Sequence, residues 1–104
     1  MSAGGSGEET TEDLFFGAQL RLIQPRKGYR AGIDAALLAA VLGPLKPGAT
    51  ACEFGCGAGA ALLSAAILEP DADFAGVERD AHAVALARKN VALNGLERRV
   101  RIDE

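Results

Sequence analysis

The feature that most constrains the fold of this 104-residue chain is a glycine-rich segment at residues 53–59. The segment reads Glu53, Phe54, Gly55, Cys56, Gly57, Ala58 and Gly59. It follows an apolar run at residues 49–54, which predicts a short buried strand, and precedes an alanine- and leucine-rich run at residues 60–68, which predicts a helix. Glycines at such a junction let the backbone turn tightly and let a ligand approach without meeting a Cβ atom.

The remainder of the C-terminal half repeats the same alternation. Residues 73–78 predict a second strand, and Asp80 can cap a helix that runs to Asn94 and stops at Gly95. Residues 100–102 predict a third strand. The order β-α-β-α-β predicts an α/β fold in which helices connect the strands of a parallel sheet.

The N-terminal half divides into two parts. Residues 1–13 are small, polar and acidic, and we expect a disordered acidic tail there. Residues 14–48 then contain a predicted strand at residues 18–24, ended by Pro25, and a predicted helix at residues 35–42, capped by Asp34. Residues 49–104 form the third part, the glycine segment with its strands and helices.

Composition excludes some classes of protein. No apolar run approaches the roughly 20 residues that span a bilayer, and no secretory signal is visible, so we expect a cytoplasmic protein without membrane contact. Cys52 and Cys56 are interpreted as reduced packing thiols. The net charge is −3, and four of the 14 acidic residues lie in the first 13 positions. Basic groups such as Arg98, Arg99 and Arg101 could contact phosphates, although a solvated surface is the favoured interpretation.

Two acidic residues indicate an adenosine-type cofactor. Glu78 ends the second strand, where a carboxylate can accept hydrogen bonds from both ribose hydroxyls. Glu53 precedes the first glycine by two residues, so it could meet a cationic amino group and would repel a pyrophosphate. However, Gly55, Gly57 and Ala60 also satisfy the dinucleotide fingerprint, so an NAD-type binding domain stays open as the alternative.

Further segments carry a resemblance to a known family. They are residues 20–24 (LRLIQ), 28–38 (GYRAGIDAALL), 53–59, 76–78 (GVE) and 87–94 (ARKNVALN). With them the chain resembles bacterial tRNA adenine-N6 methyltransferases of the methyltransferase small-domain family. The resemblance implies the N-terminal part of a Rossmann-like class I methyltransferase fold with a truncated parallel sheet. It also implies S-adenosyl-L-methionine as cofactor and tRNA or other RNA as the methyl acceptor.

The resemblance also implies roles for individual residues. Glu53 and the loop after it (Phe54, Gly55, Cys56, Gly57 and Gly59) would hold the methionine part of the cofactor. Glu78 would bind the ribose. Arg79 directly follows this acid in the sequence and could flank the adenine, although a surface arginine is the favoured interpretation. Asp103 would approach the adenine amine, and Asp34 would close the pocket from the N-terminal side. No metal ligand is implied.

One departure from that family is large. Its members orient the target amine with an Asn-Pro-Pro-Tyr-type segment, but this sequence has no Pro-Pro pair and Tyr29 is its one tyrosine. We therefore expect a cofactor-binding fragment that has no catalytic residue and is inactive alone. Besides the methyltransferase and the NAD-type binding domain, a third hypothesis remains open: a non-catalytic interaction fragment that forms a homodimer through an unpaired sheet edge.

Overall fold

The computed structural model describes residues 9–26 and 45–104. Five strands and two helices lie in these ranges. In chain order they are β1 (Thr10–Phe15), β2 (Leu20–Pro25), β3 (Thr50–Phe54), α1 (Ala60–Leu68), β4 (Asp73–Val77), α2 (Ala81–Leu93) and β5 (Val100–Asp103). The predicted helix at residues 35–42 and its capping residue Asp34 lie outside the described residues.

Strands β3, β4 and β5 form a parallel sheet in that order, with α1 and α2 as the connections. This is the predicted Rossmann-like α/β arrangement, and the β-α-β-α-β order is confirmed. Across the sheet, Glu53 is in register with Gly76 and Ile102, and Phe54 is in register with Val77 and Asp103. Because neighbouring residues of a strand face opposite sides, these two rows lie on opposite faces of the sheet.

The two helices begin and end close to where the sequence predicts. The α1 helix covers residues 60–68, and its mostly apolar residues 62–66 are buried. At the start of α2 the Asp80 carboxylate accepts a hydrogen bond from the His82 N–H at 3.0 Å, which is an N-cap. Gly95, at a φ of 66°, follows the end of this helix in the left-handed region where glycine is favoured. None of the helices in residues 9–26 and 45–104 is long and apolar enough to cross a membrane.

The N-terminal residues correct one expectation. The disordered tail was predicted to reach residue 13, but Thr10–Phe15 forms β1, which pairs antiparallel with β2. The sequence did not predict this strand because its side chains are mostly polar and lie largely in solvent. Its order comes from backbone pairing with β2 and from side-chain contacts such as the 2.7 Å ion pair between Arg21 and Glu12.

Strand β2 joins this hairpin to the rest of the fold. The side chains of Leu20 and Leu22 have no exposed surface and belong to the same apolar core as both helices and the sheet. Both α1 and α2 contact β2, and they also contact the sheet through β4 and β5. The hairpin is therefore a packed part of the fold.

Candidate functional site

The glycine loop between β3 and α1 is the centre of the candidate site. Gly55, Gly57 and Gly59 have φ values of 74°, 57° and 97°, in the left-handed region that L side chains rarely adopt. The first turn of the loop is bound to the end of β4, since the N–H groups of Gly55 and Cys56 donate to the Val77 carbonyl at 2.7 and 3.2 Å. Gly59 is the N-cap of α1 and offers no side-chain cap, so the first turn of this helix has backbone donors that a ligand could use.

Glu78 holds the loop from the side of β4. Its Oε1 accepts a hydrogen bond from the Gly57 N–H at 2.9 Å, and its Oε2 accepts from the Asp80 N–H at 2.9 Å. The N–H groups of Asp80 and Gly57 stabilise the charged form and lower the pKa of Glu78 below 4.5. The carboxylate is thus ionised at neutral pH. Each of its oxygens retains a second acceptor position, which two hydroxyl groups could fill.

Glu53 lies on the face of the sheet that packs against α1. Its register partner is Gly76, and a Cβ atom at Gly76 would meet Leu62 of α1, which identifies the face. The Oε1 atom of Glu53 is shielded from solvent and has no hydrogen-bond partner within residues 9–26 and 45–104. Burial raises the pKa of this carboxyl group. The side chain is an unsatisfied acceptor next to the loop, and a cationic donor would satisfy it.

Cys56 fills the space between the loop and β4. A Cβ atom at Gly76 would lie 2.7 Å from the Cys56 Sγ, so the thiol packs where only a glycine fits. Burial, followed by the charges of Glu53 and Glu78, raises the pKa of Cys56 to about 11. The thiol is therefore protonated at neutral pH and is a poor nucleophile. Both Cys52 and Cys56 are free thiols, the first exposed and the second buried.

The remaining predicted site residues gather at the same edge of the sheet, except for one. Phe54 and Asp103 end β3 and β5, and Arg79 follows Glu78 directly after β4, so all three lie at the carboxyl edge. The Phe54 side chain is 81% exposed. The Asp103 carboxylate forms an ion pair with Arg101 at 2.9 Å, and both side chains are about half exposed or more. Such pairs are worth little and open readily. Asp34 lies outside the described residues.

Sequence reasoning missed one residue that touches the loop. Asn90 of α2 is fully buried, and its Nδ2 donates to the Ala58 carbonyl of the glycine loop at 3.0 Å. The signal was present in the sequence, because Asn90 lies on the same helical face as Ala87 and Val91, where an apolar residue is expected. A polar side chain on a buried face usually has partners that require it.

Comparison with known proteins agrees with this geometry. The sequence model of a family described as "Methyltransferase domain" matches residues 45–104, which is more than half of the chain. No curated protein sequence matches the chain.

Several solved structures share the fold. The structure of geranyl diphosphate methyltransferase in complex with SAM is 27% identical, with a TM-score of 0.61 over 67% of this chain and 28% of that chain. P. horikoshii TYW2 in complex with MeSAdo has a TM-score of 0.75 at 18% identity, over 92% of this chain and 36% of that chain.

A third structure is geranyl diphosphate C-methyltransferase from Streptomyces coelicolor, which contains S-adenosyl-L-homocysteine. It is 22% identical, with a TM-score of 0.61 over 68% of this chain and 25% of that chain. The present chain spans about a third or less of the length of these proteins.

Proposed function

Because the chain belongs to the methyltransferase domain family, we propose that it forms the part of a methyltransferase that binds S-adenosylmethionine. The observation that carries the proposal is the glycine loop with the ionised Glu78 on one side and, on the other, the half-buried Glu53, whose shielded Oε1 has no hydrogen-bond partner among the described residues. The solved structure at 27% identity is a complex with SAM, which supports the same cofactor.

The residues present fit this cofactor. The ionised Glu78 would accept the ribose hydroxyls while it keeps the Gly57 N–H. The orphaned Oε1 of Glu53 would accept from the cationic amino group of the methionine part, which would supply the partner it lacks. The left-handed glycines leave the backbone open to the ligand, since no side chain projects from them.

When bound, S-adenosylmethionine supplies an electrophilic methyl group on a sulfonium sulfur. The chain contributes orientation. Two anchors, Glu53 before the loop and Glu78 beside its middle residue Gly57, would fix the methionine part and the ribose relative to each other. Positioning of this kind accounts for much of the rate of a bimolecular transfer. The Cys56 thiol is protonated and packed away from solvent, so it is not suited to act as a base or a nucleophile in this transfer.

The first test is calorimetric titration with S-adenosylhomocysteine, with NAD in a parallel titration. We expect S-adenosylhomocysteine to bind and NAD not to bind, because the Glu53 carboxylate would repel a pyrophosphate. Glu53→Ala should weaken S-adenosylhomocysteine binding. Binding of NAD alone, unaffected by Glu53→Ala, would contradict the proposal and favour a dinucleotide-binding domain.

For the methyl acceptor we propose the N6 atom of a tRNA adenine. Support comes from the resemblance of residues 20–24 and 28–38 to the tRNA adenine-N6 methyltransferases described above. The test uses the full-length protein, unmodified tRNA and donor labelled in its methyl group, followed by digestion to nucleosides. Label in N6-methyladenosine is the expected result. Label in another nucleoside, or in protein when cell extract is the acceptor, would refute this assignment and leave the donor site standing.

A further inference from the structure

We propose that Asn90 is a positioning residue that holds the glycine loop in its binding geometry by joining it to strand β2. The inference rests on the proposed function, because it concerns how the same loop is kept ready for the cofactor. It assigns a role in cofactor binding to the N-terminal hairpin, although the hairpin contributes no predicted cofactor contact of its own.

The Asn90 side chain makes three hydrogen bonds from a fully buried position. Its Oδ1 accepts from the Ile23 N–H at 2.7 Å, and its Nδ2 donates to the Ile23 carbonyl at 2.9 Å and to the Ala58 carbonyl at 3.0 Å. A primary amide has one acceptor oxygen and two donor hydrogens in one plane, and here the oxygen accepts one hydrogen bond and both hydrogens are donated. An apolar residue of similar size would remove the partner of three half-buried backbone groups, the N–H and carbonyl of Ile23 and the carbonyl of Ala58.

Asn94, one turn later, makes the same contact with β2. Its Oδ1 accepts from the Arg21 N–H at 2.8 Å, and its Nδ2 donates to the Arg21 carbonyl at 2.6 Å. Residues two apart on a strand lie about 6.7 Å apart, and residues four apart on a helix about 6 Å, so the two amides match Arg21 and Ile23. The two asparagines thus act on β2 as a neighbouring strand would.

One difference separates the two asparagines. The second donor hydrogen of Asn90 reaches the loop at Ala58, whereas Asn94 donates to the Asn90 carbonyl within its own helix at 2.7 Å. Ala58 stands between Gly57, whose N–H is held by Glu78, and Gly59, which caps α1. The loop is therefore fixed from two sides, by Glu78 through an N–H group and by Asn90 through a carbonyl group.

The test compares Asn90→Ser with the matched control Asn94→Ser. Both variants lose a paired contact with β2, but only the first releases the loop. We expect Asn90→Ser to weaken S-adenosylhomocysteine binding about tenfold, as the loss of a buried hydrogen bond implies, and Asn94→Ser to change it less than about threefold. Equal weakening by both variants would overturn the proposal, because stabilisation of the hairpin alone would then explain it.

A second measurement needs no ligand. Amide hydrogen exchange at Gly57 and Gly59 should be faster in Asn90→Ser than in wild type and unchanged in Asn94→Ser. If wild type does not bind S-adenosylhomocysteine, the proposed function fails, and the exchange rates alone then decide whether Asn90 positions the loop. Asn90→Asp is the second variant in case Asn90→Ser does not fold, since it retains the side-chain volume and the acceptor for the Ile23 N–H. Unfolding of both Asn90 variants would assign this residue to general stability and overturn the proposal.

Discussion

At the scale of single residues, two glutamates next to one loop have pKa values displaced in opposite directions. Burial raises the pKa of Glu53, whereas the N–H groups of Asp80 and Gly57 lower the pKa of Glu78. A lowered pKa means that the Glu78 carboxylate stabilises the fold at neutral pH, and that this contribution is lost as the pH falls below 4.5. The raised pKa of Glu53 has the opposite effect, since its ionised form is the costly one.

The variant Glu53→Gln should separate stability from binding. A raised pKa means that stability decreases as the pH rises from 4.5 through the pKa of the folded state. We therefore expect Glu53→Gln to be more stable than wild type at pH 7 and equally stable at pH 4, measured by urea unfolding. It should also bind S-adenosylhomocysteine more weakly at pH 7, because the amide lacks the charge that attracts an ammonium group.

The pH dependence of binding gives a second test of whether Glu53 contacts the amino group of the ligand. Wild-type affinity for S-adenosylhomocysteine should decrease as the pH falls through the raised pKa of Glu53, and the affinity of Glu53→Gln should change less. Glu97→Gln is the control, since Glu97 is exposed and away from the loop. If Glu53→Gln bound as tightly as wild type at pH 7, Glu53 would not contact the amino group.

The two thiols should differ in reactivity. We expect iodoacetamide at pH 8 to alkylate Cys52 in the native protein and to leave Cys56 intact, because Cys56 is buried with a pKa of about 11. Peptide mass spectrometry measures both sites, and both should react in urea. Equal rates in the native protein would mean that the glycine loop opens on the timescale of labelling.

At the scale of elements, Arg99 caps the C-terminal end of helix α1. Its guanidinium donates to the carbonyl groups of Ala66, Glu69 and Ala72 at 2.8, 3.2 and 2.7 Å. These are carbonyls at and after the last turn of the helix, where partners within the helix run out. Arg99 precedes β5, so one side chain fastens the end of α1 to the start of the third parallel strand.

Removal of this cap should lower the free energy of unfolding. Arg99→Met should destabilise the protein by about 1–3 kcal/mol, since hydrogen bonds from a charged donor are lost and carbonyls lose their partners. Its neighbour supplies the control, because Arg98 is exposed and Arg98→Met should change the free energy of unfolding by less than about 0.5 kcal/mol. If Arg99→Met and Arg98→Met changed the free energy of unfolding in urea equally, water would satisfy the carbonyls of α1 in place of Arg99.

The helices and strands also show which features of this fold could be predicted from the sequence. Helix α1 was predicted at its correct bounds, because the glycine loop and Pro70 enclose a run of alanine and leucine. Strand β1 was missed because most of its side chains are polar, so its sequence shows no apolar alternation. The role of Asn90 depends on residues 67 and 32 positions away, Ile23 and Ala58, and no local pattern encodes such distant partners.

At the scale of the whole molecule, the N-terminal hairpin and the C-terminal β-α-β-α-β unit share one core. Leu20 and Leu22 of β2 pack in the same cluster as Leu63 of α1, Val84 of α2 and Phe74 of β4. The match to the family model begins at residue 45, so β2 lies outside the matched region although its two leucines belong to the core. Stability of the cofactor-binding unit should therefore depend on residues that the family model does not include.

Two leucines of the hairpin test this dependence. Leu22→Ala should destabilise the protein by about 2–5 kcal/mol, because the side chain has no exposed surface and its removal leaves a cavity. Leu14→Ala, on the neighbouring strand, should cost less than about 0.5 kcal/mol, since Leu14 is 59% exposed. Similar midpoints for the two variants in urea would mean that the hairpin detaches without loss to the core.

The amide contacts of Asn90 and Asn94 have one more consequence, for self-association. A strand with open backbone groups along its side is a template on which another chain can add a strand and start an aggregate. One side of β2 is paired with β1, and at Arg21 and Ile23 the other side is occupied by the two amides. Helix α2 thus covers this side of β2 with two side chains, and at Arg21 and Ile23 it blocks the addition of a strand to β2.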